Sequence, residues 1–190
     1  MTKEQNKGPW TVKQSTNRFK NEWLELLEDE VIRPDQELGT FATIRVRPGV
    51  SVLAIDDDLN AYLTAEYRYA IEEESIEVVS GAIEVDEPPL VAATRELREE
   101  LGIVSESIMS LGMVHPLTSM LHSPAHLFLA RNLSFVQASP ESVELIRLVK
   151  VPFAKAVSMV MDSEIKHAPS CVLILKADQY LKVTSEELKS

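Results

Sequence analysis

A chain of 190 residues, 45% hydrophobic and 26% charged, is long enough to bury a full core and too apolar to stay disordered. Its 30 acidic against 19 basic residues leave a net charge of −11, which argues against a nucleic-acid backbone or an anionic membrane as main partner. A phosphate-bearing small molecule stays open, because a divalent cation can bridge it to an acidic site.

The only cysteine, Cys171, rules out an intrachain disulfide and suits a small core position in "CVLIL". "MTKEQNKGPW" has no apolar leader, and no run reaches the roughly 18 apolar residues that span a bilayer, so a cytoplasmic protein is expected. Residues 1–10 are polar and expected to be mobile. "WTVKQSTNRFKNEWLELLEDEVIRP" mixes aromatic and β-branched residues with charges and suits strands or a short helix. Val50 to Tyr69 reads as two antiparallel strands, "VSVLAI" and "AYLTAEYRY", joined by a turn at "DDDLN". Pro48 marks the seam between an N-terminal β region (1–48) and a main domain (49–190).

"SIEVVS" is a further short strand. A helix follows from Pro89 to Leu101, with proline in its first turn and Gly102 as its left-handed terminus. "SIMSLGMVHPL" and "AHLFLARNL" read as strands on either side of the loop "TSMLHSP", and "ESVELIRLVKVP" as another strand. Pro152 opens a helix through Met161, and "SCVLILKADQYL" is a final helix. Mixed strands and helices, strands in excess, predict an α+β or layered sandwich domain.

The helix after Pro89 carries the chemistry. At 100° per residue, Leu90, Ala93, Thr94, Leu97 and Leu101 share an arc of about 100°, the expected core face. Glu96 and Glu100 lie about 40° apart on its flank, with Glu99 about 100° further round. Carboxylates so spaced destabilise an isolated helix by roughly 0.2–0.5 kcal/mol per pair, and become favourable once a divalent cation binds between them. Arg95, four residues before Glu99, is placed to orient it. "RELREEL" alone would pass for a solvated helix face, since its residues are good helix formers.

The wider frame is more specific. Gly81, Glu87, Arg95, Glu96, Leu97, Glu99, Glu100, Gly102 and Ile103 stand at every fixed position of the signature of the Nudix hydrolases, and the chain resembles that family. Beyond the box, "AEYRYAI", "IEVVSGAIE" and "HLFLARNL" resemble its ADP-ribose pyrophosphatase branch. The resemblance implies an α+β fold, a Nudix-type α/β/α sandwich with a small N-terminal β subdomain that contributes to a homodimer. It also implies Mg²⁺- or Mn²⁺-dependent hydrolysis of ADP-ribose or a related nucleoside diphosphate sugar. The metal ligands would be Glu96, Glu99, Glu100 and the backbone carbonyl of Ser80, with Gly81 letting the loop turn closely around them. Arg95, with Glu99 and Glu100, belongs to the catalytic set, and Glu87 supports it. Arg68 and Glu77 match substrate-pocket positions: a guanidinium can clamp a diphosphate at two points, although a strand-surface ion pair would explain Arg68 equally well. Tyr67 and Tyr69 suit stacking on a base or, more commonly, strand packing.

One stretch departs from the branch. "LTSMLHSP" has Thr118 and Ser119 where a proline–glycine pair is usual, and it has no carboxylate. A general base would then come from Glu99 or Glu100, or from His122, whereas His126 reads as structural. GDP-mannose, UDP-sugars and dinucleotides stay open as substrates, and a nucleotide-sensing module without catalysis is the reading from outside the enzyme class.

Overall fold

The computed structural model describes residues 5–139 and 145–187. In chain order it contains β1 (Gln5–Lys7), β2 (Trp10–Lys20), β3 (Leu24–Ile32), β4 (Leu38–Val46), β5 (Gly49–Ile55), β6 (Asn60–Arg68), β7 (Glu73–Glu77) and β8 (Val79–Ala82). These are followed by α1 (Pro89–Leu101), β9 (Ile103–Val114), β10 (Leu121–His122), β11 (Ala125–Phe135), β12 (Arg147–Pro152), α2 (Phe153–Met161) and α3 (Ala168–Glu187). Two units result: Met1–Arg47 with His115–Pro124, and Pro48–Val114 with Ala125–Ser190. No helix among the described residues is long and apolar enough to cross a membrane.

The first unit is a five-stranded sheet in the order β1-β2-β3-β4-β10. The strand option for residues 10–32 is the one adopted, and β2 and β3 pair antiparallel. The expectation of a mobile start is corrected from Gln5 onward. Gln5 pairs with Val12, and the Lys7 ammonium reaches the buried Asp29 carboxylate at 2.6 Å, a charge pair that favours this register. Residues 1–4 lie outside the described residues. The stretch expected as a plain loop also holds a strand, because β10 adds to β4 in parallel and the Ile44 N–H bonds the Met120 carbonyl at 2.8 Å.

The second unit is built on a mixed sheet in the order β12-β6-β5-β11-β9, with β7 on β6 and β8 on β5. Strand alternation assigns each side chain to one of two cores. On one face Leu53, Ile55, Leu63, Leu127 and Leu129 pack with Phe153, Ala156 and Met159 of α2 and with Leu173, Ile174 and Ala177 of α3. On the other, Val50, Val52, Ala54, Phe128 and Ala130 pack with Ala92, Ala93 and Leu97 of α1. A sheet covered on both faces is the sandwich that the sequence implied, and it explains why β5 is apolar at nearly every position. "SIEVVS" divides between β7 and β8, so that Val78 enters one core and Val79 the other. The first residues of "ESVELIRLVKVP", 141–144, lie outside the described residues. The last helix starts earlier than expected, at Ala168.

Helix α1 has the expected bounds. Pro88 and Pro89 start it, and Gly102 ends it at φ 62°, its N–H bonding the Arg98 carbonyl at 2.9 Å. Its orientation differs from the hydrophobic arc. Ala92, Ala93 and Leu97 are fully buried, whereas Leu90 and Thr94 are exposed and Leu101 is only half-buried. The buried positions span about 140°, and that arc contains Glu96 and Glu100. The small alanines let α1 approach β8 with its glutamate-bearing side turned to the sheet, so the fit to β8 overrides the hydrophobic maximum.

Candidate active site

The site grows from the junction of β8, the loop after it and α1. Arg95 organises it from the middle of the helix. Its Nε donates to Glu87 Oε1 and its Nη2 to Glu87 Oε2, both at 2.9 Å, a two-point pair of the strong kind. Nη2 also reaches the Ala82 carbonyl at 3.1 Å, while Nη1 donates to Glu96 Oε1 at 2.7 Å and to Glu99 Oε2 at 3.2 Å. Glu87 further accepts the Glu84 N–H at 3.0 Å, closing the loop on itself. One guanidinium thus ties the loop to two helix carboxylates. The expected Arg95–Glu99 pair is present, but the stronger partner is Glu87, eight residues upstream, which helical spacing does not reveal.

The Arg95 hydrogen bond holds the Glu87 carboxyl down at about 2, against the opposing effect of burial. Because the folded value lies below the ordinary 4.5, the pair stabilises the fold above about pH 4.5 and loses that contribution as pH falls towards 2. Glu87→Gln is therefore expected to be less stable than the parent at pH 7 in urea unfolding, with the difference shrinking at pH 3. A constant difference would show that Glu87 acts through packing alone.

Gly81 is the second element. A side-chain methyl there would overlap the Glu96 carboxylate, which rests directly on the glycine backbone. Next to it, Ser80 sits opposite Ser51 in the β5–β8 ladder, its hydroxyl 3.0 Å from the Ser51 hydroxyl and donating to the Val78 carbonyl. Glu96, Glu99 and Glu100 are all half-buried. Among the described residues, no three histidine, cysteine or acidic side chains converge closely enough to hold a metal ion. The donor chemistry nonetheless fits a hard divalent cation: carboxylate and carbonyl oxygens only, beside a backbone kept bare by glycine.

Arg68 and Glu77 are brought together on β6 and β7. The Arg68 Nε donates to Glu77 Oε1 at 3.1 Å and its Nη2 to Glu77 Oε2 at 2.9 Å, while Nη1 lies 2.7 Å from Glu66. The ion-pair reading of Arg68 is therefore realised, although its partner is buried rather than a surface acid. Glu77 raises the Arg68 pKa against the effect of burial, and the charges of Glu66 and Glu100 add to it, which links this pair electrostatically to the box helix. Burial alone would push the Glu77 carboxyl up, but Arg68 and the neighbouring His167 bring it below its ordinary value.

Other expected residues are dispersed. Tyr67 and Tyr69 are 61% and 92% exposed, so packing does not account for either. His122 belongs to the first unit, opposite Arg45 in β10, with its ring 6.2 Å from that of His115. Thr118, Ser119 and His122 line a cavity of that unit of about 420 Å³ together with Lys7 and Arg45. His126 is half-buried in β11. Two residues escaped the sequence reading: His167, 3.4 Å from Glu77, and the fully buried Ser170, 2.8 Å from His167. Their only local signal was a position at the start of the last helix, about 90 residues from the groups they meet.

The NUDIX domain family matches residues 45–161. The ADP-ribose pyrophosphatase of Bacillus subtilis (strain 168) is 24% identical over 87% of this chain and 88% of its own length. A methanol dehydrogenase activator of Bacillus methanolicus is 25% identical over 90% and 91% of the two chains. A crystal structure described as an ADP compounds hydrolase superposes with a TM-score of 0.80, covering 95% of this chain and 98% of that one at 19% identity, a likeness of fold.

Proposed function

The chain belongs to the NUDIX domain family and is a Nudix pyrophosphatase, and we propose that it hydrolyses ADP-ribose or a related nucleoside diphosphate sugar to a nucleoside monophosphate and a sugar phosphate. The observation that carries this reading is the Arg95 hub, which gathers Glu87, Glu96 and Glu99 beside the bare backbone of Gly81. The relatives named as ADP-ribose pyrophosphatases support the choice of substrate.

Glu96, Glu99, Glu100 and the Ser80 carbonyl would hold Mg²⁺ or Mn²⁺. When bound, the metal neutralises the diphosphate and makes its coordinated water more acidic. The residues of the chain do the rest. A water oxygen bonds to one phosphorus, the bridging P–O bond breaks, and Glu99 or Glu100 accepts the water proton. Arg95 keeps Glu96 and Glu99 from splaying apart under mutual repulsion. Arg68, aligned by Glu77 and Glu66, presents its remaining N–H groups to the diphosphate. The exposed Tyr67 and Tyr69 extend from the same strand and its end, with free ring faces for a base or ribose.

The assembly proposed is a homodimer through the first unit, supported by the exposed Phe19, Trp23 and Leu38 on its strands and the adjoining turn. A cytoplasmic setting suits the single thiol.

The test is a panel of ADP-ribose, GDP-mannose, a UDP-sugar and a dinucleotide with Mg²⁺ or Mn²⁺, followed by chromatography for released nucleoside monophosphate. ADP-ribose is expected to be turned over, chelation to stop the reaction, and added divalent metal to restore it. Turnover of none, with no metal-dependent thermal shift, would sink the enzymatic reading.

A further inference from the structure

His167, just before α3, stands outside the box and has no part in the hydrolysis described above. Its Nδ1 lies 2.8 Å from the Ser170 hydroxyl and 3.4 Å from Glu77 Oε2. The Ser170 oxygen accepts the Val78 N–H at 3.0 Å in a fully buried position. The Nδ1–hydroxyl contact is satisfied in either neutral tautomer of the ring, because a hydroxyl both donates and accepts.

Glu77 Oε2 is thus approached from two sides, by Arg68 Nη2 at 2.9 Å and by His167 Nδ1 at 3.4 Å. While the imidazole is neutral it brings no charge to Oε2, and Arg68 is the charged partner of the carboxylate. Once protonated, the ring places a positive charge 3.4 Å from the same oxygen, which competes with Arg68 for the carboxylate and repels the guanidinium.

We propose that His167 is a positioning residue for Arg68: acting through Glu77, the protonation state of its ring sets how tightly the guanidinium is held on β6 and how freely it engages the substrate diphosphate. The inference rests on the proposed role of Arg68 in binding the diphosphate.

The charged groups acting on the ring are Glu77 of β7 and Arg68 of β6, the latter also paired with Glu66. Lys166, next in sequence, is drawn instead to Glu73 at 2.9 Å. Burial holds the His167 pKa below its ordinary 6.5, Glu77 pulls it back up and Arg68 pushes it down, so the change falls on the acid side of neutrality.

His167→Asn removes the titration and keeps a residue suited to the start of a helix. With the panel substrate that is turned over, the ratio of the variant KM to the parent KM is expected to grow roughly threefold between pH 7.5 and the acid side of the His167 transition, while the kcat ratio stays level. A ratio that is flat or falls, in a variant that melts like the parent, overturns the proposal.

A second measurement needs no turnover. The His167 ring resonance, identified by its loss in His167→Asn, is expected to titrate lower in Glu77→Gln and higher in Arg68→Ala. An unchanged titration in both variants also overturns the proposal. If no nucleotide sugar is hydrolysed, the proposed function fails while these resonances still decide whether the three residues are coupled.

Discussion

Glu100→Gln is expected to lower kcat by about 10³-fold or more while leaving the melting temperature close to that of the parent. The amide keeps the shape of the side chain and removes one anionic oxygen donor. Glu100 lies in the last turn of α1, on the arc between the buried Ala92 and Ala93, and its charge is felt by the Arg68 guanidinium. It therefore lies within electrostatic reach of the cation proposed to bind the diphosphate. Neutralising this residue removes repulsion from the neighbouring helix carboxylates and also its attraction to Arg68, two opposing effects, which is why stability is expected to change little. Steady-state kinetics over a metal titration, with a thermal melt of the same sample, checks both halves. Activity close to the parent would show that the metal is held elsewhere.

Gly81→Ala is expected to lower activity by about 10²-fold and to leave the protein folded. The added methyl would overlap the Glu96 carboxylate, the far end of a flexible side chain that can rotate to another rotamer. The β5–β8 ladder, in which Val50 faces Gly81, has no reason to break. What is lost is the position of Glu96, and with it the 2.7 Å bond to Arg95 Nη1. The effect should appear as a weakened metal dependence of both kcat and the thermal shift. A large drop in melting temperature would instead place the glycine requirement in the backbone.

Some of this architecture is local and is readable from the chain. Helix α1 runs from Pro89 to Leu101 because proline opens it, its residues favour helix, and Gly102 adopts the left-handed angle that ends it. The β5–β6 hairpin is equally local. Asp56 accepts the Asn60 N–H at 2.7 Å across a turn whose composition already marks it. The two short strands β1 and β10 were not readable. Three and two residues long, they are too brief for periodicity to register, and each exists only because an edge of the first sheet offers it unpaired backbone groups.

The candidate site divides in the same way. Residue spacing by itself placed Glu96, Glu99, Glu100 and Arg95 on one helix, a short way downstream of Gly81 and Glu87. The roll of that helix is not contained in its 3.6-residue period. It follows from how closely Ala92 and Ala93 approach the sheet and from the room left at Gly81, and it turns Glu96 and Glu100 inward while exposing Leu90. Likewise Arg68, Glu77, His167 and Ser170 meet only when the start of α3 docks at the junction of β7 and β8, bridging 92 positions between Val78 and Ser170. The sequence by itself determined which functional groups the helix carries and where it starts and stops, because caps and propensities act over a few residues. Only the tertiary structure decided which way those groups face and which distant partners hold them, because packing and buried charge pairing act between segments that are remote along the chain.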